Sequence, residues 1–514
     1  MNGAQSLVRT LVDAGVEVCF ANPGTSEMHF VASLEKVPQM RCVLGLFEGV
    51  VTGAADGYYR MAGKPASTLL HLGPGLGNGL ANLHNAKKAR SGIVNIVGEH
   101  ATHHLQHDAP LTTDIEAIAR PMSDWVRTSK DALTVAADGA AAVAAASGRP
   151  GKIATLIMPA DAAWTEARGP AAPQAPNPPP KVGESPIAAA VTALRKGRAA
   201  LLLGGEGTRA GALEVAGRIA AATDCAVLTE YAVARVERGA GRVEAVRLPY
   251  GVAEAVALLK QFQTLVLVGT KAPVAFFAYP NMPSLLADPA CDIVELAGPE
   301  DDITGALDEL AKSLGAQALA PRGVAALSRP GLPTGPLTPE GIAAVLCHLM
   351  PVNAIVVDEA VSRGRGFGKL TSTAAPHDWL TTVGGAIGFG LPAGVGAAIA
   401  APDRPVVVLE GDGSAMYTLQ SLWTMARESL DVKILVFANR SYQILRGELM
   451  RVGADARGAA AQEMLSLERP TLDWLAFARA QGLGASRADT LESLAAEFRK
   501  ALATPGPYLV EVVL

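Results

Sequence analysis

Apolar positions along the chain fall into two repeating patterns. Leu7, Leu11 and Val12 recur at helical spacing, and VEVCFANPG then reads as a buried strand closed by a turn. STLLHLGPG and SGIVNIVGEH are further short apolar runs that end in polar turns. The alternation returns in RAALLLGGEGTRAG, CAVLTEY and TLVLVGT, and again in AIVVDEA, PVVVLEGDGSA, VKILVFANRS and PYLVEVVL. Strands alternating with helical stretches predict βαβ units and parallel sheets. Ligands in such sheets bind beyond the carboxyl ends of the strands. That rule directs attention to ANPGT, HLGPG, GEHATHH, EGDGS and FANRS.

Two breaker-rich stretches divide the pattern. GPAAPQAPNPPPKVGESP, at 169–186, cannot be helical and reads as an extended linker, and a second such segment covers about 319–339. The expected architecture is therefore α/β, with three doubly wound parallel-sheet domains over 1–168, 187–318 and 337–514. Of the 514 residues 49% are hydrophobic and 18% charged, as in a large globular chain. No run approaches the roughly 20 apolar residues of a membrane span. The first residues, MNGAQSLVRTLVDAG, carry charges within their apolar pattern, so a cytoplasmic protein with no membrane contact is expected. A net charge of -5 and 5% aromatics argue against a nucleic-acid binder. Cys19, Cys42, Cys225, Cys291 and Cys347 are far apart and read as reduced thiols.

The strongest chemical signal is Gly411-Asp412-Gly413-Ser414, followed by the strand VKILVFA and Asn439. Asp412 and Asn439 end neighbouring strands, so both face one crevice. A carboxylate, an amide oxygen and a backbone carbonyl are hard ligands suited to Mg²⁺. Gly413 and Ser414 open a helix whose first amides suit a phosphate oxygen. Alone, GDG is more often an Asp-Gly turn that caps a helix. Glu48 lies in an apolar stretch, LFEGVVTGAADGYYRMAGKPA, where a carboxylate is costly without a partner.

GDG with an Asn 27 residues beyond its Asp resembles the diphosphate–metal motif of thiamin-diphosphate-dependent enzymes. NPGTSE, the Glu48 helix, HLGPGLGN and GGAIGFGLP occur in that family's order, so the resemblance covers essentially the whole chain. It implies a pyrimidine-binding domain, a Rossmann-like middle domain and a diphosphate-binding domain. Mg²⁺ would be held by Asp412, Asn439 and the carbonyl of Ser441, although the usual first asparagine of a pair is Ala438 here. Glu48 would activate the aminopyrimidine ring, and Ile387 would support the bent cofactor. Ser362, Gly411, Gly413, Ser414 and Tyr442 complete the cofactor contacts that the resemblance implies. It further implies a 2-keto acid substrate, release of an aldehyde or carboligation to an acyloin with an aldehyde or keto acceptor, and a homodimer as least unit, commonly a homotetramer.

FANPGTSEMHF, LLHLGPGLGN and GDGSAMYTLQSLWT look most like the benzoylformate decarboxylase branch, which maps catalytic roles onto Thr25 and His71. The substrate-pocket candidates are His100, His103, His104, Leu111, Thr112, Ile444 and Leu445. That branch also uses a middle-domain histidine. No histidine occurs here between His107 and His348, and Ala278 stands at about the matching place. Acetolactate synthases, with their condensation of two 2-keto acids, are the other near relatives. Their FAD signature is missing from GTKAPVAFF, and Glu448 stands roughly where they carry a tryptophan, so FAD is not expected. The histidines from His100 to His107 have helical i, i+3 and i, i+4 spacing that would also suit a transition metal. Gly205-x-Gly207-xxx-Gly211 follows a strand like a dinucleotide fingerprint, leaving a non-catalytic nucleotide-binding or regulatory protein as the rival reading.

Overall fold

The computed structural model describes residues 1–362, 364–454 and 458–514. Its first sheet contains β1 (Val18–Asn22), β2 (Arg41–Leu44), β3 (Ala66–Leu70), β4 (Ile93–Glu99), β5 (Trp125–Thr128) and β6 (Ile153–Pro159). Their order is β2-β1-β3-β4-β6-β5, all parallel. The second sheet uses β7 (Ala199–Leu203), β8 (Ala226–Thr229), β10 (Val246–Arg247), β11 (Thr264–Val268) and β12 (Asp292–Ala297) in the order β10-β8-β7-β11-β12, again parallel. The third takes β13 (Ala354–Asp358), β14 (His377–Thr381), β15 (Val406–Gly411), β16 (Val432–Ala438), β17 (Gly484–Ala488) and β18 (Tyr508–Val513). Every residue of β3, β4, β6, β7 and β11 is buried, as expected where helices cover both faces of a parallel sheet.

The third sheet differs from an all-parallel expectation. Its edge strand is β9 (Arg235–Arg238), which comes from the middle stretch of chain and pairs antiparallel with β14. RVER is short and charged, a composition typical of edge strands and hard to distinguish from a turn in sequence. Arg235 is fixed by Asp378 at 2.7 Å and by the Arg60 carbonyl at 2.8 Å. Arg60 is itself buried, paired with Asp56 at 2.6 Å, and donates to the carbonyls of Thr381 and Ala234. One guanidinium therefore ties the first domain to the β14–β9 edge of the third sheet.

Helix α1 (Gly3–Asp13) covers the first sheet, while α2 (Glu48–Ala62) and α3 (Leu72–Ala89) carry the sequence motifs. Gly63, at φ +67°, ends α2 in the left-handed region that glycine adopts without strain. Helix α2 crosses α4 (Gly390–Ala400) of the third domain with backbone close to backbone. A methyl group at Gly57 would lie 2.2 Å from the Ala393 carbonyl oxygen, and one at Gly396 would lie 1.9 Å from that of Ala54. Gly53 likewise admits Pro392. This approach fuses the outer two domains around one continuous apolar core. We predict that Gly57→Ala destabilises the protein by about 1–3 kcal/mol through overpacking, despite a gain of about 1 kcal/mol in helix propensity. Denaturant unfolding checks the sign, and a stabilised variant would contradict the close packing.

Candidate active site

The carboxyl ends of β15 and β16 open into one pocket with about 460 Å³ of empty space. Asp412 begins a short helical turn directly after β15, and Asn439 directly follows β16. Arg440 adopts a left-handed φ of +55°, and Ser441 then turns back so that its N–H donates to Asn439 Oδ1 at 3.0 Å. Asp412 accepts the Arg440 N–H at 2.6 Å and the Gly413 N–H at 3.0 Å. Even so, burial pushes its carboxyl up to about 6. The expected residues Ser362, Ile387, Gly411, Gly413, Ser414, Tyr442 and Ile444 line the same pocket. Every lining residue falls between Ala360 and Ile444, so the first domain of the same chain contributes none.

Ile387 is held by its neighbours rather than by its own backbone. Asn85 of α3 engages both polar groups of Ala386, donating to its carbonyl at 2.8 Å and accepting its N–H at 3.2 Å. The Gly388 carbonyl accepts from Asn82 and Thr418, and the Gly388 and Gly390 amides donate to Glu359 at 3.1 and 2.6 Å. Glu359 and Glu410 are wholly buried next to each other against Gly390, where a Cβ would meet both, and burial raises both, with their mutual repulsion adding to the rise at Glu410. Nothing in the sequence pattern singles out Asn82, Asn85 or Glu410.

Glu48 opens α2, nearly buried, with Oε2 accepting from Asn78 at 2.9 Å and Oε1 beside Gly75, where a Cβ would approach to 3.0 Å. His71 precedes α3, and its Nδ1 lies 2.9 Å from Glu27 Oε2. The same oxygen accepts the Gly24 N–H at 2.7 Å, and Ser26 donates to Oε1 at 2.7 Å. Glu27 is wholly buried, and Gly98 makes room for it, since a Cβ there would fall 1.8 Å from Oε1. A buried carboxylate acceptor places the imidazole proton on Nδ1 and leaves Nε2 as the basic nitrogen. Thr25 is exposed, and the hydroxyl nearest His71 belongs to Ser26, at 3.3 Å. The TSE tripeptide after NPG was the available signal for Glu27.

The segment bearing His100, His103 and His104 forms turns and one 3₁₀ turn, Leu105–His107, rather than an α-helix. The His100 and His104 rings stand 5.5 Å apart, and among the described residues no three His, Cys, Asp or Glu side chains converge as a metal site. Leu111 packs on the apolar core, and neighbouring Thr113 abuts Gly73, close to His71. Thr112 has a buried hydroxyl, and Leu445 is exposed. Of the dinucleotide-like glycines, Gly205 and Gly207 lie against Ile303, where a Cβ would meet it at 3.5 and 3.6 Å, and a Cβ on Gly211 would meet nothing within 4 Å.

Two family descriptions match this chain: thiamine pyrophosphate enzyme, N-terminal TPP binding domain, over residues 1–118, and the C-terminal TPP binding domain over residues 366–512. A Mycobacterium tuberculosis protein provisionally designated acetolactate synthase large subunit IlvX is 52% identical over 100% of this chain and 99% of its own length. The chain belongs to the thiamine pyrophosphate enzyme family. A benzoylformate decarboxylase of Pseudomonas aeruginosa is 30% identical over 97% of this chain and 96% of its own. The fold of this thiamine pyrophosphate enzyme also matches a Rhodococcus jostii thiamine diphosphate-dependent 4-hydroxybenzoylformate decarboxylase, with TM-score 0.87, 24% identity and coverage of 99% and 98% of the two chains.

Glu27→Ala is expected to strand the Gly24 N–H and the His71 ring, at a cost of about 1–3 kcal/mol. Glu27→Gln keeps an oxygen for both donors and loses less. Equal losses in chemical denaturation would contradict the arrangement.

Proposed function

We propose that the chain binds thiamin diphosphate with Mg²⁺ and decarboxylates a 2-keto acid, releasing an aldehyde or joining the retained acyl unit to a second carbonyl as an acyloin. The observation that carries this reading is the pocket in which buried Asp412 meets Asn439 and Ser441. All three offer oxygen, the donor class that Mg²⁺ takes. Asp412 also carries a burial penalty that a divalent cation offsets. When bound, thiamin diphosphate supplies the carbon nucleophile and the electron sink.

The residues divide the remaining work. Asp412, Asn439 and the Ser441 carbonyl hold the metal, while Ser362, Gly411, Gly413, Ser414 and Tyr442 receive the diphosphate. Ile387, braced as described, lines the pocket and would support the cofactor there. Glu48 carries a proton at the pyrimidine ring, and Asn78 keeps one of its oxygens in place. His71, with Nδ1 held by Glu27, presents Nε2 to substrate beside Thr25. His100, His103, His104, Leu111, Thr112, Ile444 and Leu445 shape the substrate side.

Glu48 and the diphosphate pocket act together when a second copy supplies the other half, which makes a homodimer the least active unit and a homotetramer its natural extension. This reading is supported by the absence of first-domain residues from the pocket lining of a single chain. No described helix is long and apolar enough to cross a membrane, and the five unpaired thiols suit a reducing, cytoplasmic setting. The name of the 52% identical relative favours a second reading, condensation of two 2-keto acids as in acetolactate synthases.

Screening CO₂ release over pyruvate, longer aliphatic keto acids and benzoylformate, with and without acceptors, separates the two readings. Glu48→Gln is expected to lower turnover by about 10²-fold or more while calorimetry shows cofactor binding retained. Wild-type turnover in that variant would overturn the assignment.

A further inference from the structure

Helix α5 (Gln443–Arg451) follows the Asn439–Ser441 turn directly and carries Ile444 into the lining of the pocket. None of its residues is buried. A surface helix with no buried anchor is a weakly held element, free to open locally at little cost. Among the described residues, polar contacts therefore help to hold it over the pocket.

Glu448 makes the most substantial of these. Its Oε2 accepts the Tyr279 hydroxyl at 2.8 Å and its Oε1 that of Tyr250 at 3.2 Å. Both tyrosines belong to the middle stretch of chain, far from α5 in sequence. Arg451, one turn along α5, also binds Glu448, and its guanidinium lies 5.5 Å from the centre of the Tyr250 ring. Tyr250 is packed in turn between Tyr231, at 5.2 Å, and Phe276, at 5.7 Å. Phe276 rests on Gly385, two residues before Ile387, where a Cβ would meet its ring at 2.9 Å. The aromatic cluster thus reaches the chain on both sides of the pocket, at Gly385, two residues before Ile387, and at Glu448, four residues after Ile444.

We propose that Glu448 is a positioning residue that pins α5 to the middle domain through the Tyr250 and Tyr279 hydroxyls, and so fixes the Ile444 wall of the substrate site. The middle domain takes part through these phenols at the place where no histidine is available, Tyr279 being adjacent to Ala278. Neither Tyr250 nor Tyr279 is among the residues that line the pocket, so cofactor affinity is expected to change little when their hydroxyls are removed. The part of this inference that concerns substrate rests on the proposed 2-keto acid function; the part that concerns α5 does not.

The test is Tyr250→Phe/Tyr279→Phe, which keeps both rings and removes both hydroxyls, studied in the full-length protein with thiamin diphosphate and Mg²⁺ added. Amide hydrogen exchange over 443–451 should accelerate about tenfold or more, with β13, β15 and β16 unchanged. KM for whichever keto acid the wild type turns over should rise several-fold, with kcat and the half-saturating cofactor concentration nearly constant. Glu448→Gln, which keeps one carbonyl acceptor, should fall between wild type and the double variant. Unchanged exchange over 443–451 would overturn the proposal, as would acceleration spread evenly through the middle domain. Failure to bind cofactor at all would instead count against the proposed function, because the exchange comparison reads α5 either way.

Discussion

The contact on which the rest of the structure depends is the crossing of α2 and α4. Gly53, Gly57 and Gly396 remove the side chains that would hold the two helices apart. The backbones then approach so closely that the outer domains share one core. Each helix begins beside a candidate chemical group, Glu48 at the start of α2 and the Ile387 turn just before α4. Asn82 of α3 connects the two starts, donating to the Gly49 carbonyl at 2.8 Å and to the Gly388 carbonyl at 3.1 Å. The crossing therefore fixes, within each chain, where Glu48 and the Ile387 turn stand relative to one another.

The polar groups around the pocket follow from that rigidity. A buried carboxyl is tolerated only where donors or a cation meet it. Glu359 is satisfied by two glycine amides and thereby braces the turn at Ile387. Glu27 is satisfied by Gly24, Ser26 and His71 and thereby sets the imidazole proton. Asp412 has backbone donors and, like Glu359, is raised by burial, and in the proposed function a divalent cation would complete it.

Much of this was legible in the sequence because strand-end chemistry leaves a local pattern. The alternation of apolar runs and turns identified the α/β class, and GDG with Asn439 marked the ends of two adjacent strands. The Glu48 helix was equally plain. What stayed hidden depends on contacts between residues far apart in the chain. Asn82 and Asn85 read as ordinary polar positions on α3, and only the fold brings them to Ala386 and Gly388, some 300 residues away. Tyr250 and Tyr279 likewise acquire meaning only when they reach Glu448. Strand β9 escaped because its pairing partner lies in another domain. The histidine cluster falls on turns and one 3₁₀ turn, so its helical spacing in sequence does not correspond to a helix face.

The central claim is that Glu48 and Asp412 serve one cofactor from two copies of the chain. Co-expression of Glu48→Gln and Asp412→Ala subunits, each inactive alone, tests this directly. Random pairing into dimers places one intact composite site in each mixed dimer, so about a quarter of wild-type specific activity should return. No recovery, with mixed dimers shown to be present, would mean that each chain completes its own site and would contradict the account.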